Sequence, residues 1–436
     1  MTKAKVDIRE LILDMLLEIE KEKTYSHILM RNVLDKYDYL TAQEKAFMKR
    51  VTEGTLERKI QIDYILDSYS KTPVKKMKPL IRNLLRMSVY QIFFMDGVPD
   101  SAVCNEAVKL AAKRSFQSLK GFINGVLRTI VRQKGQIAYP DKEKDSVKYL
   151  SVFYSMPEHL IVMWKEVYGK ERTEAMLKAM LEIRPVTIRL KEEIGAKARK
   201  ELFDKLDALG VAVKKHPLLS YAYELEHVDG VRALPGFAEG LFTVQDVSSM
   251  LCVEWAGIKE GDFVIDVCAA PGGKATHAAE KLNGSGKVLA RDLTEDKVAL
   301  IEENILRQRL SNIEAEAYDA SFFDDSLKEM ADVVIADLPC SGLGIIGKKR
   351  DIKYNITKEA LVELPLLQKK ILSTIWQYVK PGGTLMYSTC TIHQEENEKI
   401  VNWFSKEYPF ELIRMQQLLP GEDATDGFFI AEFKRR

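Results

Sequence analysis

Cysteine is scarce in this sequence, and its distribution excludes two common roles. The chain has 436 residues but only five cysteines, an odd number, and no two of them form a CxxC pair. A disulfide framework and a cysteine-based zinc site are therefore both excluded. We expect any important cysteine to act as a reduced thiol, and we predict no metal site. The five are Cys104, Cys252, Cys268, Cys340 and Cys390.

Long apolar runs are also missing. No segment approaches the ~20 consecutive apolar residues that a membrane helix needs. Residues 1–23 fit an amphipathic helix with acidic residues throughout, which is unlike a signal or transit peptide. We therefore expect a cytoplasmic protein that does not associate with a membrane.

Net charge is small, at +1, but it is unevenly distributed. Residues 1–145 carry 27 lysines and arginines against 19 acidic residues, a balance of +8, whereas the remainder carries 38 against 45, or −7. A basic front part on a mildly acidic body indicates a polyanionic partner such as nucleic acid. The alternative is that +8 is ordinary scatter for a helical domain.

The hydrophobic pattern predicts three parts, and about three domains also suit a chain of this length. Residues 1–140 form an all-helical domain, because "RELILDMLLEIEK" and "KPLIRNLLRMSVYQIFFM" repeat apolar residues at helical spacing. The polar stretch "KGQIAYPDKEKDS" is a predicted linker. Residues 146–240 form a small α+β module with strands at "VTIRL", "VAVKK" and "YAYELE".

Strands and helices alternate in the third part, residues 241–436. The predicted strands are "FVIDVCA", "KVLARD", "IEAEAYD", "DVVIADL" and "GTLMYST". Their apolar runs do not alternate with polar residues, as expected of parallel strands that are covered on both faces. This pattern predicts a doubly wound α/β domain of the Rossmann-like class.

A glycine-rich turn follows the first of these strands in "VIDVCAAPGGKATHAAEKL" (264–282). It matches neither GxGxxG nor GxxxxGK[ST], so a dinucleotide fingerprint and a phosphate loop are both excluded. Acidic residues then fall at three successive strand ends, Asp292, Asp319 and Asp337. Ligands bind at the carboxyl ends of such strands. One acid suits a ribose diol and the next an adenine amino group, which together describe a nucleoside without phosphates. The alternative is that each acid caps a helix or forms a turn.

The motifs "DVCAAPGGK", "DLPCSG" and "STC" closely resemble those of the RNA 5-methylcytosine methyltransferases, over about residues 240–436. The front 140 residues resemble the helical RNA-binding fold of the antitermination factor NusB, notably in "FINGVLR". The combination resembles bacterial small-subunit ribosomal RNA methyltransferases. The family's arginine-x-asparagine signature is incomplete in "RPVTIRL". This segment supplies Arg184 and Arg189, but Leu190 stands where the asparagine would be. We therefore leave Arg184 and Arg189 out of the catalytic set.

This resemblance implies a class I fold that binds S-adenosyl-L-methionine. It also assigns the cofactor contacts to one loop and three acids, which are Cys268, Ala269, Ala270, Pro271, Gly272, Gly273, Lys274, Asp292, Asp319 and Asp337. We expect His277 and His393 to have structural or solvated roles.

The resemblance further implies a role for each of two thiols. Cys390 would attack carbon 6 of a cytosine, and Cys340 would assist the later elimination, with Asp337 bonded to the cytosine edge. The alternative is that both cysteines are small buried hydrophobic residues. The expected substrate is 16S ribosomal RNA before subunit assembly, bound by a monomer, and not DNA. Transfer RNA is the second candidate, and an RNA-binding assembly factor with a vestigial catalytic domain is the third.

Overall fold

The computed structural model describes residues 6–22, 24–192, 194–228 and 230–436, and its contacts divide the chain into two compact units. The first unit runs to Leu181 and also includes Ile346–Asn355, and the second comprises Glu182–Ile345 and Ile356–Arg436. Among the described residues, no helix is both long enough and apolar enough to cross a membrane. The division into three parts, with boundaries near 140 and 240, stays a prediction.

The first unit is helical, which confirms the prediction for the front of the chain. The helices between residues 8 and 132 bury apolar residues at helical spacing in one shared core; the helix Pro79–Phe94, for example, buries Ile81, Leu84 and Leu85. Its last helix is interrupted at Gly169, where φ is 76°. The helices are α1 Ile8–Glu22, α2 Ser26–Lys36, α3 Ala42–Glu57, α4 Lys59–Tyr69, α5 Pro79–Phe94, α6 Asp100–Lys113, α7 Lys120–Arg132, α8 Ser146–Phe153 and α9 Glu158–Ala179.

Residues 346–355 belong to the first unit although they are distant from it in sequence. The backbone nitrogen and the hydroxyl of Ser26 donate to the Asp351 carboxylate at 2.7 and 2.8 Å. The Lys353 ammonium, which is buried, donates to the carbonyl oxygen of Ser155 at 2.7 Å. The segment is therefore bonded into the helical unit through buried polar contacts.

An antiparallel sheet of four strands opens the second unit and confirms the α+β prediction. Its strand order is β2-β3-β1-β4, and the helix α10 (Ala196–Ala208) packs on it through Leu202 and Leu206. The strand β4 is not foreseen in the sequence because it has only three residues. The strands are β1 Val186–Leu190, β2 Ala212–Lys215, β3 Ala222–Glu226 and β4 Phe242–Val244.

A second sheet of seven strands forms the core of the same unit. Its order is β10-β11-β9-β8-β5-β6-β7, in which β5 to β9 run parallel and β11 pairs antiparallel with both of its neighbours, β9 and β10. The strands are β5 Phe263–Asp266, β6 Lys287–Asp292, β7 Ile313–Ala317, β8 Ala331–Asp337, β9 Val379–Thr389, β10 Phe410–Leu418 and β11 Phe428–Arg435. The helices are α11 Val247–Trp255, α12 Gly273–Lys281, α13 Glu295–Gln308, α14 Lys358–Ile375 and α15 Glu398–Glu407.

This topology confirms the Rossmann-like prediction and places the motifs at one edge. The chain runs outward from β5 through β6 to β7 on one side, and through β8 to β9 on the other. The order therefore reverses between β5 and β8, which is where ligands bind in open α/β sheets. The glycine-rich turn, both thiol motifs and the three acids all follow the carboxyl ends of these strands.

Candidate active site

The glycine-rich turn joins β5 to α12 by a sharp change of direction. Gly272 has a φ of 100° and forms the N-cap of α12. A side chain there would be strained by the left-handed backbone, and its Cβ would lie 3.2 Å from Ile301. The turn thus brings backbone groups to the helix N-terminus, where free N–H groups can meet a ligand.

A cleft of about 250 Å³ opens beside this turn. Of the predicted cofactor residues, the structure places Cys268, Ala269, Ala270, Pro271, Gly273, Lys274 and Asp337 in its lining. Gly272, Asp292 and Asp319 are not part of that lining. Gln245, Asp246 and Ser249, which precede α11 or lie in its first turn, also line the cleft.

Asp266 is a lining residue that the sequence reasoning missed. It ends β5, and its Oδ2 is buried without a hydrogen-bond partner. Burial raises the pKa of this carboxyl to about 7. The same signal that identified the other acids, an acidic residue at a strand end, was available here.

Asp292 supports the turn from outside the cleft. Its Oδ2 accepts a hydrogen bond from the Ala270 nitrogen at 2.9 Å, and its Oδ1 accepts from Lys297 Nζ at 2.8 Å. The side chain is almost fully buried. Asp292 therefore fixes the position of the loop in addition to any contact with a ligand.

Asp319 closes a turn at the end of β7. Its Oδ1 accepts from the Ser321 nitrogen at 2.9 Å, and hydrogen bonds from Ser321 lower the pKa of the carboxyl. The turn-forming role that the sequence left open is thus present. The adenine contact implied by the resemblance stays a prediction.

Asp337 is held by two neighbours at the end of β8. Lys274 Nζ donates to its Oδ2 at 2.6 Å, and the Ser388 hydroxyl donates to its Oδ1 at 2.9 Å. Burial alone would lower the pKa of Lys274, but the Asp337 carboxylate raises it overall. Lys274 therefore stays protonated, and its bond together with that of Ser388 fixes the Asp337 side chain in the cleft wall.

Cys340 and Cys390 meet at the ends of adjacent parallel strands. The register pairs Asp337 with Ser388, so the residues that follow each strand lie side by side. The two sulfur atoms are 3.3 Å apart, and both cysteines are free. The hydrogen bond with Cys390, together with burial, raises the pKa of the Cys340 thiol well above its ordinary value. Cys340 therefore keeps its proton at neutral pH and can donate it in a hydrogen bond to the other sulfur.

The remaining cysteines and Arg189 have structural surroundings. Cys104 and Cys252 are buried in hydrophobic cores. Arg189 is also buried; it donates to the Gly273 carbonyl at 2.9 Å and pairs with Glu280 at 3.0 Å. It thus fastens β1 to the start and the end of α12, which explains why this arginine is unavailable for RNA.

One group of side chains among the described residues has the spacing of metal ligands: Glu192, Glu254 and His277. The Lys281 ammonium already lies 2.5 Å from Glu192 and 2.6 Å from Glu254. Burial lowers the pKa of His277 well below its ordinary value, so its ring is neutral. The Lys281 ammonium is thus an ionic partner of both carboxylates.

The comparisons with known proteins agree with this arrangement. Residues 254–434 match the family model described as 16S rRNA methyltransferase RsmB/F, and residues 6–132 match the NusB family. The "Probable ribosomal RNA small subunit methyltransferase B" of Bacillus subtilis is 35% identical, with 99% of each chain covered. The "Ribosomal RNA small subunit methyltransferase B" of Proteus mirabilis is 32% identical, over 94% of this chain and 93% of the relative.

A solved structure supports the fold over the full length. The crystal structure of PH0851 superposes with a TM-score of 0.81, covers 100% of both chains and is 23% identical. Because sequence identity with the Bacillus subtilis protein extends over nearly the whole of both chains, the relationship is not confined to the methyltransferase part. The chain belongs to the family of ribosomal RNA small subunit methyltransferase B.

Proposed function

We propose that this protein transfers a methyl group from S-adenosyl-L-methionine to carbon 5 of a cytosine in 16S ribosomal RNA, through a covalent bond between Cys390 and the base. The observation that carries the proposal is the pair of thiols 3.3 Å apart at the ends of β8 and β9. A single nucleophile would need only one of them. Asp337, which ends β8, lies in the wall of the neighbouring cleft.

The cleft suits the proposed cofactor chemically. S-adenosyl-L-methionine is a nucleoside without phosphates that carries an ammonium and a sulfonium group, and it supplies an electrophilic methyl group when bound. The unpaired Oδ2 of Asp266 is a free acceptor in the lining. Residues 268–274 would contact the cofactor along the turn, with Asp292 at the ribose and Asp319 at the adenine.

The protein's task is to make carbon 5 of cytosine nucleophilic. Addition of the Cys390 thiolate to carbon 6 breaks the 5,6 double bond and makes carbon 5 enamine-like. Carbon 5 could then bond to the methyl group as the bond from that group to the sulfonium sulfur breaks, which would leave S-adenosyl-L-homocysteine. A base then removes the proton from carbon 5, the double bond re-forms, and the thiolate leaves. Asp337 would bond to the edge of the cytosine and hold it in place during these steps.

The surroundings of Cys340 suit a supporting role. The raised pKa of Cys340 keeps that thiol protonated. A thiol that donates a hydrogen bond can stabilise a thiolate on its neighbour, and thiolate is the reactive form. This fits the roles that the family resemblance implies, in which Cys390 is the nucleophile and Cys340 assists the elimination that releases the product.

The substrate assignment uses the other unit. Its NusB-like part is basic, at +8 over residues 1–145, and we assign it to RNA binding. We place the protein in the cytoplasm as a monomer that acts on 16S RNA before subunit assembly. Transfer RNA is the second candidate within the same chemistry.

A direct assay tests this function. The protein is incubated with methyl-labelled S-adenosyl-L-methionine and either 16S or transfer RNA transcripts, and the RNA is digested to nucleosides. We expect label in 5-methylcytidine from 16S RNA. Label in another nucleoside would refute the chemistry, and label only in transfer RNA would move the substrate to the second candidate.

A further inference from the structure

Two consecutive residues, Glu396 and Asn397, lie close to the thiol pair and are fully buried. They follow Cys390 by six and seven positions, between β9 and α15. Neither is part of the lining of the cofactor cleft. Their hydrogen bonds run to the backbone and side chains that flank the two cysteines.

Glu396 and its neighbour Gln368 hold the chain on both sides of Cys340. Glu396 Oε2 accepts from the nitrogen of Ser341, the residue after Cys340, at 2.9 Å. Gln368 Nε2 donates to the carbonyl of Pro339, the residue before it, at 3.0 Å. The same Nε2 also lies 3.1 Å from Glu396 Oε2. The contacts before and after Cys340 are therefore linked through these two side-chain atoms.

Asn397 holds the chain on both sides of Cys390 in the same way. The hydroxyl of Thr389, the residue before Cys390, donates to Asn397 Oδ1 at 2.6 Å. Asn397 Nδ2 donates to the carbonyl of Thr391, the residue after it, at 3.0 Å. The hydroxyls of Ser341 and Thr391 are 2.7 Å apart and join the two arrangements.

Stability alone does not account for these polar groups. A buried carboxylate is costly unless its oxygens are bonded. Here Oε2 has two donors, and His393 Nδ1 lies 3.0 Å from Oε1. Well-packed apolar residues of similar volume are often equally stabilising. What an apolar replacement could not supply is directional bonds to four residues that flank two reactive sulfurs.

We propose that Glu396 and Asn397 are positioning residues that set the relation between the two thiols: Glu396, with Gln368, places Cys340, and Asn397 places Cys390. This inference rests on the proposed function, because it assigns each residue to the step that its cysteine performs. Loss of the Cys340 contacts slows elimination. Loss of the Cys390 contacts slows addition.

The two assignments therefore predict different amounts of the covalent intermediate, which can be measured. Glu396→Gln keeps the shape of the side chain but removes the charge. Gln368→Met removes the bond to the Pro339 carbonyl. Both variants should accumulate a covalent protein–RNA adduct on ordinary RNA, which is also the result that we predict for Cys340→Ala. Asn397→Asp removes the donor to the Thr391 carbonyl and should slow methyl transfer without adduct. A displacement of about 1 Å can cost ~100-fold in rate, so we expect kcat to fall ~10–100-fold.

The experiment uses the full-length protein, ordinary 16S RNA and S-adenosyl-L-methionine. It measures the fraction of protein in a slow-migrating band on a denaturing gel, kcat, and calorimetric cofactor affinity. A variant counts as folded if its cofactor affinity is within about twofold of wild type. Each folded variant then tests the assignment to its own cysteine, which is Cys340 for Glu396→Gln and Gln368→Met, and Cys390 for Asn397→Asp. The matched control is Glu395→Gln, the exposed neighbour that pairs with Lys399, which should behave as wild type.

The outcomes separate this inference from the function on which it rests. Adduct with Glu396→Gln or Gln368→Met, and none with Asn397→Asp, supports the assignment. If Cys340→Ala accumulates adduct while folded Glu396→Gln and Gln368→Met turn over like wild type, the positioning roles are wrong and the function stands. If wild type makes no 5-methylcytidine, the proposed function itself fails.

Discussion

Single residues decide the chemistry, and the proton on Cys340 is the clearest case. The hydrogen bond with Cys390 and burial hold that thiol in its protonated form. A group in that state cannot be the attacking thiolate, but it can stabilise one 3.3 Å away. This state of Cys340 is compatible with the supporting role that the resemblance implies for it, and that role stays a prediction.

Replacement of Cys340 by alanine should trap the reaction after addition. Because elimination needs Cys340 and addition does not, a covalent protein–RNA band should build up with ordinary 16S RNA and cofactor. A denaturing gel measures the band, and Cys252→Ala, which removes a core thiol, is the control. A Cys340→Ala enzyme with full activity and no slow band would return Cys340 to a packing role.

Asp292→Ala should weaken cofactor binding. It removes a carboxylate from the proposed ribose contact and also releases the Ala270 nitrogen. A hydrogen bond to a charged group contributes ~1.5–3 kcal/mol, or ~10–150-fold in affinity. Calorimetry with S-adenosyl-L-methionine measures this, and Asp296→Ala, an exposed acid on α13, is the control. Equal affinity of the Asp292 variant and wild type would contradict the assignment.

For single residues, the sequence shows which side chains carry reactive groups more readily than it shows their hydrogen-bond partners and burial. The motif residues and the strand-end acids can be identified because their types and spacing are local signals. Glu396 and Gln368 cannot, because their partners are backbone groups up to 55 residues away. Asp266 could have been found by its position, but only the fold shows its unpaired buried oxygen.

Among the elements, the buried parallel strands are the most predictable. The predicted "KVLARD" coincides with β6, and the other four predicted strands overlap β5, β7, β8 and β9. Their apolar runs result from burial on both faces. Strands β10 and β11 were not predicted, because the pairing of β11 with β9 and of β10 with β11 depends on chain reversals that no local pattern predicts.

The segment Ile346–Asn355 was also not foreseen as part of the helical unit. Its partner Ser26 is 325 positions from Asp351, so the contact is invisible to any local pattern. The segment brings in Lys353, which is buried and donates to the carbonyls of Glu57 and Ser155. Burial lowers the pKa of this lysine to about 7.

Lys353 should make stability depend on pH with a defined sign. Its folded pKa lies below its unfolded value, so the unfolded chain binds more protons between about pH 7 and pH 10. The unfavourable contribution is therefore full below pH 7 and is relieved as pH rises. Relative to wild type, Lys353→Met should lose up to about 2–3 kcal/mol of stability between pH 7 and pH 9.

Urea unfolding at the two pH values measures this difference. The exposed Lys358→Met is the control, and its difference from wild type should not change with pH. A Lys353→Met difference that is equally constant would show that the lysine is charged in the folded protein throughout this range.

In the molecule as a whole, we assign RNA binding to the helical unit. Lys71 precedes the short 3₁₀ turn Val74–Lys76 that comes before α5, Lys75 and Lys76 belong to that turn, and all three lysines are exposed. Lys78 lies over the Phe116 ring at 5.3 Å, so it is less available than the other three. The family relationship was predictable from the motifs, whereas the choice among these lysines required the structure.

Replacing Lys71, Lys75 and Lys76 by alanine should weaken RNA binding and reduce its salt dependence. Each lost phosphate contact on single-stranded RNA lowers the log–log salt slope by about 0.7. Filter binding over a salt series measures the slope. The control triple is Lys109, Lys144 and Lys148, each paired with an acidic neighbour. An unchanged slope in the first triple would exclude that surface from RNA binding.

The central claim is that Cys390 bonds to a cytosine of 16S RNA. The most direct measurement is trapping with 16S RNA that contains 5-fluorocytidine, followed by mass spectrometry of the linked peptide. The fluorine on carbon 5 cannot be removed as the proton is, so elimination stalls. We predict an adduct on Cys390 that survives in Cys340→Ala and disappears in Cys390→Ala. An adduct on Cys340, or none at all from an enzyme that methylates ordinary 16S RNA, would contradict it.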